Sequence, residues 1–155
     1  MIDWRTVLEI TLLSLFLIAV VVGASILLIR SLIASYKEVF RSQSRFDIEL
    51  RKTLNLMSKL IDDPLVNEYA NLPIKDLTFD QKKTILKYIT EMMTQFEESK
   101  PEHHYLHETF ENLQEVRRNR DSHALIYNQK AMMFPFSVFV KIMKLPHYQI
   151  YTDNL

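Results

Sequence analysis

Cysteine is absent from this chain, and glycine occurs once, at Gly23. The first absence excludes disulfides and thiol chemistry. The second excludes most hairpins, sharp sheet corners and nucleotide-cradling loops, because those need the backbone freedom that glycine supplies. No P-loop, nucleophile elbow or dinucleotide fingerprint is present. An excess of charge is missing too: 19 Lys and Arg balance 19 Asp and Glu. A general electrostatic grip on nucleic acid needs a basic domain or face, so no nucleic-acid partner is expected. What remains is an all-α chain.

One long uncharged run is present. Ile10–Ile29, ITLLSLFLIAVVVGASILLI, carries no ionisable residue. A helix of about 20 residues spans roughly 30 Å, the hydrocarbon thickness of a bilayer. A lone spanning segment must be helical to satisfy its own backbone. The run is too long for a signal-peptide core, and the preceding MIDWRTVLE carries Asp3 and Glu9 against Arg5, so an uncleaved anchor is expected. Trp4 belongs at the outer interface. Arg30, Lys37, Arg41 and Arg45 follow the run, against Arg5 alone before it, which predicts residues 1–9 outside and residues 30–155 in the cytoplasm. Ser14, Gly23 and Ala24 offer a weak helix-packing signal, with no Gly-x-x-x-Gly pair.

Past the anchor, neither proline nor glycine interrupts Arg30–Ile61. Ile33, Tyr36, Phe40, Leu50, Leu54, Met57 and Ile61 suggest a seam on one helix face, broken by Gln43 and Asp47. A helix packed on its neighbours accounts for this seam; a parallel coiled-coil dimer is the alternative. Asp62-Asp63-Pro64 stops the helix. Residues 65–77 read as a connection with a short helical turn at Val66–Asn71. A second helix starts at Thr78, with Gln81 completing a capping box. Ile85, Ile89, Met92 and Phe96 form its buried stripe, and Lys82, Lys83, Lys87, Glu91 and Glu97 its wet side. Ser99 and Glu102 suggest another capping box, with Pro101 in the first turn.

The last long helix has the cleanest pattern. Leu106, Phe110, Leu113, Arg117, Arg120, Ala124, Tyr127, Ala131 and Phe134 alternate steps of four and three. Running antiparallel to the first helix, it returns Phe134 to the membrane side near Ile33 and sets Arg120 beside Asp47. A seam ion pair between those two is expected, since a lone buried charge is costly; the alternative is that both bend out to water. In the tail, FPFSVFVKIMKLPHYQIYTDNL, Lys141 and Lys144 are the only charges between Phe134 and Leu145. Phe136 and Phe139 with those lysines would suit a membrane interface, or the tail caps the bundle core; the pattern supports both.

Candidate chemistry is thin. His103 and His107, one turn apart with His104 between, have the spacing to share a metal, but no further ligand stands at a fitting spacing and HExxH is absent. Arg117, Arg118 and Arg120 suit an ion-paired face better than a phosphate grip. No catalytic residue, cofactor or metal is assigned.

Leu113-Gln114, Arg120, Tyr127-Asn128 and Phe134-Pro135 together resemble the closing signature of the LemA family, membrane-anchored bacterial helical proteins. Ile48–Leu60, IELRKTLNLMSKL, is similar to that family's first cytoplasmic helix. The resemblance covers these two parts of the chain. The family's usual alanine-rich middle helix is missing, and Lys144 stands where a glycine often follows the Phe-Pro segment. The resemblance implies a long antiparallel bundle on the inner membrane face, without established enzymatic activity; one branch helps build magnetosome membranes. It makes Arg120, Tyr127, Asn128, Phe134 and Pro135 architectural, with Tyr127 burying a ring and Pro135 ending the helix. The expected protein is a single-pass bacterial inner-membrane scaffold or adaptor. Its expected partners are the lipid bilayer, other membrane or membrane-proximal proteins and further copies of itself. A membrane-associated metal-binding or enzymatic bundle is the alternative.

Overall fold

The computed structural model describes residues 3–94 and 101–152, apart from the side chains of residues 101 and 102. Among these residues the fold is all helical: α1 (Trp4–Leu60), α2 (Pro64–Asn71), a 3₁₀ turn (Ile74–Asp76), α3 (Phe79–Met93), α4 (Pro101–Met132) and α5 (Phe136–Met143). The suggested Ser99–Glu102 capping box and the burial of Phe96 fall outside the described residues.

With no breaker in its path, α1 runs 57 residues, about 85 Å at the usual helical rise. It is exposed at every residue from 4 to 24, and its apolar part is long enough to cross a membrane; none of its most apolar window is buried. The hydroxyls of Thr11 and Ser25 donate to carbonyls one turn back, Val7 at 2.7 Å and Val21 at 2.8 Å. These two hydroxyls are thereby satisfied by the helix itself. A Cβ added at Gly23 would meet nothing within 4 Å, and nothing in the structure explains the glycine there.

Burial starts just past the run, at Leu32. From there Leu32, Tyr36, Val39, Gln43, Phe46, Leu50, Thr53 and Met57 follow steps of four and three along the inner face of α1. The part of this seam next to the apolar run differs from the expected one: Leu32 and Val39 are fully buried, whereas Phe40 is 65% exposed and Ile33 half-buried. Leu32/Ile33 and Val39/Phe40 are adjacent apolar pairs, so apolarity alone leaves the phase open by one residue. The partner helix decides it.

That partner is α4, running antiparallel to α1. Tyr36 meets Tyr127 edge-on at 6.0 Å, and Arg120 reaches Gln43, so contacts advance along one helix as they retreat along the other. Leu106, Leu113, Arg120, Ala124, Tyr127 and Ala131 are buried as the seam predicts. Phe134 is not: it is 84% exposed, because α4 ends at Met132 and the turn before Pro135 takes it out of register. Two seams of alternating four- and three-residue steps mesh as in bundle packing.

The remaining elements close the ends. Asp63 caps α2, its Oδ1 accepting from the Leu65 and Val66 N–H groups at 2.9 Å each. These bonds, Val66 foremost, hold its carboxyl below the usual range. Thr78 and Gln81 form the expected capping box at the start of α3. The core divides in two. A cluster far from the apolar run, including Phe46, Leu54, Ile85, Ile89 and Leu113, joins α1 to α2, α3 and α4. A cluster next to the apolar run, of Leu32, Val39, Ala124, Tyr127, Ala131 and Val140, joins α1 to α4 and α5.

Candidate functional site

The two clusters meet at a buried polar network. Asp47 on α1, Lys82 on α3 and Arg120 and Asp121 on α4 are 9%, 6%, 3% and 5% exposed. Lys82 Nζ donates to both Asp47 oxygens, at 2.8 and 2.9 Å. Gln43 links this pair to α4: its Nε2 donates to Asp47 Oδ1 at 2.9 Å, and its Oε1 accepts from Arg120 Nε at 2.8 Å. Arg120 also donates to Asp121 Oδ1 at 3.1 Å and to the Gln149 carbonyl.

The expected Asp47–Arg120 ion pair is therefore corrected. The two side chains lie at matching heights, but Gln43 stands between them, and each has another charge as its direct partner. Lys82, expected on the wet side of its helix, supplies the cation for Asp47. Its spacing carried the signal: Lys82 is three residues before Ile85 and continues the Ile85–Ile89 stripe by one turn.

The network also binds the tail. Residue 145 precedes Pro146, which disfavours helix at 145. Lys144 ends α5 in the left-handed region, φ 51°, with the Leu145 N–H bonded back to the Val140 carbonyl at 3.1 Å. Glycine favours such a cap, so Lys144 holds it at some backbone cost. Beyond it, residues 145–150 run without regular secondary structure alongside α4. Asn128 clamps Tyr148 at both backbone groups, with Nδ2 donating to its carbonyl at 2.7 Å and Oδ1 accepting from its N–H at 3.0 Å. Two turns away along α4, Asp121 accepts from the N–H groups of Tyr151 and Thr152 at 2.9 Å each and from the Thr152 hydroxyl at 2.9 Å. Both clamps directly follow a seam residue, Arg120 or Tyr127. Sequence reading missed Asp121; the repeat of a short polar side chain seven residues apart beside the seam was its only trace.

Aromatic rings complete the seat. Tyr151 lies against Phe46 and Phe79, centroids 4.6 and 4.3 Å away, with the Arg120 guanidinium 4.8 Å from its own ring centroid. Tyr148 packs on Tyr36 and Tyr127. Burial pushes the Tyr151 phenol up to about 12, although the Gln43 hydrogen bond and the Arg120 charge pull the other way. Burial raises Tyr127 and Tyr148 as well.

Other sequence candidates lie elsewhere. Arg117 is half-buried, its Nε without a hydrogen-bond partner, beside a groove of about 650 Å³ between α3, α4 and Thr152. Arg118 is exposed. His103 and His107 are half-buried, and His104 is exposed. Among the described residues, no group of three or more His, Cys, Asp or Glu is placed to hold a metal ion. Pro135 forms the N-terminal cap of α5, three residues after α4 ends. Trp4 opens α1, exposed. Phe136 and Phe139 pack against the core next to the apolar run instead of forming an outer face, whereas Lys141 and Lys144 are exposed.

No family model, curated protein or solved structure matches the chain. Chemically, the network is a neutral set of mutually satisfied charges whose hydrogen bonds to the tail are made chiefly with its main chain. Its chemistry is that of a fastener.

Two outcomes check this geometry, both measured by denaturant unfolding of the full chain in detergent. Asp47→Ala strands the Lys82 ammonium and should cost about 3–5 kcal/mol, whereas Asp62→Ala should stay within about 0.5 kcal/mol. Asp47→Leu combined with Lys82→Met should recover most of the loss; a double variant no better than Asp47→Ala contradicts the pairing.

The second outcome is alkaline. Tyr151 ionises near 10 when unfolded and near 12 when folded, so its contribution is complete below pH 10 and lost as pH rises through 12. Stability should fall across that window, less steeply in Tyr151→Phe. Equal slopes would place the phenol in water.

Proposed function

We propose that this chain is a single-pass membrane protein whose helical body serves as a non-enzymatic scaffold or adaptor beside the bilayer. The observation that carries this reading is the continuity of α1: one helix with an exposed apolar first half and a buried seam in its second. At the centre of a bilayer, Leu, Ile, Phe and Val each favour insertion by about 0.3–0.6 kcal/mol, and Ile10–Ile29 has no charge to oppose them. A rod that is anchor at one end and bundle strut at the other holds the body at a fixed height above the membrane. Cleavage as a leader would leave Leu32 and Val39 in a stub of the longest strut.

The basic flank after Ile29 supports a cytoplasmic body and an outside N-terminus. The resemblance to the LemA family points to a bacterial inner membrane and to an architectural role. Arg120, Tyr127 and Asn128, three of the resembling positions, are the residues that grip α1 and the tail. Exposed Ile48, Leu125 and Ile126 give the body apolar points for a protein partner, whether another membrane protein or a second copy.

A reporter fused after Leu155 should behave as cytoplasmic, fluorescing as green fluorescent protein and inactive as alkaline phosphatase. Photo-cross-linkers at Ile48 and Leu125 in native membranes should yield discrete adducts. An active phosphatase fusion contradicts the orientation, and absence of adducts at both positions contradicts the scaffold reading.

A further inference from the structure

The end of the bundle nearest the apolar run carries a second apolar surface. Met132, Met133, Phe134, Val138 and Ile142 are 66%, 61%, 84%, 45% and 71% exposed. Val138 and Ile142, four apart, form one stripe along the outer side of α5, and Met132, Met133 and Phe134 are exposed just before its start. Val140, Phe136 and Phe139 occupy the opposite side, against the core. Water-facing surfaces of monomers seldom keep such a contiguous patch without a binding role.

Height and charge say what covers it. Lys130, at the end of α4, donates to the Ser31 carbonyl and hydroxyl at 3.1 and 2.8 Å and to the Ser35 hydroxyl at 3.0 Å. Val140 shares a cluster with Leu32, about 4.5 Å along α1 from Ile29. The stripe therefore sits where the apolar run ends, at the level of lipid headgroups if that run crosses the bilayer. Arg30, Lys37, Lys141 and Lys144 are exposed at this end, and no acidic residue occurs from Ala131 to Ile150. Basic side chains around an apolar stripe match an anionic membrane surface. At eight residues α5 is far too short to span, so it lies in the interface plane.

We propose that the Met133–Phe134 turn and the outer stripe of α5 form a lipid-inserted foot, seating the bundle on the same bilayer that α1 crosses. This rests on the membrane-spanning reading of α1. With one span alone the body can tilt or swivel about α1; a second, shallow attachment to one side of the rod fixes its orientation to the membrane. The lysines reach headgroup phosphates while their stems stay with the acyl boundary.

The test uses the full chain in phosphatidylcholine vesicles containing phosphatidylglycerol, with acyl chains brominated or not. Trp4→Phe removes the single tryptophan, and new ones are placed one at a time as Leu15→Trp, Phe134→Trp, Ile142→Trp and Ile48→Trp. All four sites are exposed, so folding tolerates them. Brominated chains should quench Phe134→Trp and Ile142→Trp at least about threefold more than Ile48→Trp, with Leu15→Trp quenched as well. If Leu15→Trp is quenched and both foot positions are not, the foot is overturned and the anchor stands. If Leu15→Trp also escapes quenching, anchor and foot fall together. Emission at Phe134→Trp that follows protein-to-lipid ratio, indifferent to bromination, overturns the foot in favour of contact between copies.

Discussion

Four buried charges must cancel where α1, α3, α4 and the tail converge. Removing an ion from water costs several kcal/mol unless a partner and hydrogen bonds replace the solvent. Here Lys82 neutralises Asp47, Arg120 neutralises Asp121, and Gln43 joins the pairs. A slip of α4 along α1 by one turn would separate Arg120 from Gln43 and present a charge to an apolar neighbour. Apolar seams with a repeating four- and three-residue step tolerate such slips; a polar interruption does not, and so fixes the register. The register in turn places Lys130 at Ser31 and the end of α4 at the end of the apolar run.

The same network decides the path of the tail. Pro146 bars helix at the preceding residue, and the segment has main-chain groups that helix or sheet would otherwise satisfy. Asp121, Asn128 and Arg120 satisfy several of them, and Tyr148 and Tyr151 fill the space between helices. The tail is thus a further packing element without being a helix. Tyr151 belongs to the core far from the apolar run and Tyr148 packs on the core next to it, so the tail staples the two halves of the bundle.

Much of this was legible in the residues, for identifiable reasons. The α4 seam was readable because its steps of four and three hold one phase all the way from Leu106 to Ala131. The capping box at Thr78 was readable because it is a local contact. The first seam was misphased at Ile33 and Phe40 because each has an equally apolar neighbour one residue before it. Arg120 and Asp47 announced themselves as interruptions, but their true partners depended on how a third helix packs. Lys82 looked like one of several surface lysines on α3. Asp121 was the least legible, since a carboxylate that captures main-chain N–H groups leaves no pattern in the segment it captures. The exposure of Phe134 hinged on where α4 ends, and helix ends are set by local geometry more than by periodicity.

The central claim is that α4's charged and polar side chains hold the tail as firmly as the helices hold each other. Amide hydrogen exchange of the full chain in lipid nanodiscs tests it directly. The N–H groups of Tyr148, Tyr151 and Thr152 should exchange as slowly as those in the middle of α4, and Asp121→Ala should release Tyr151 and Thr152 specifically. Exchange of all three at the rate of an unstructured chain in the unaltered protein would contradict the account.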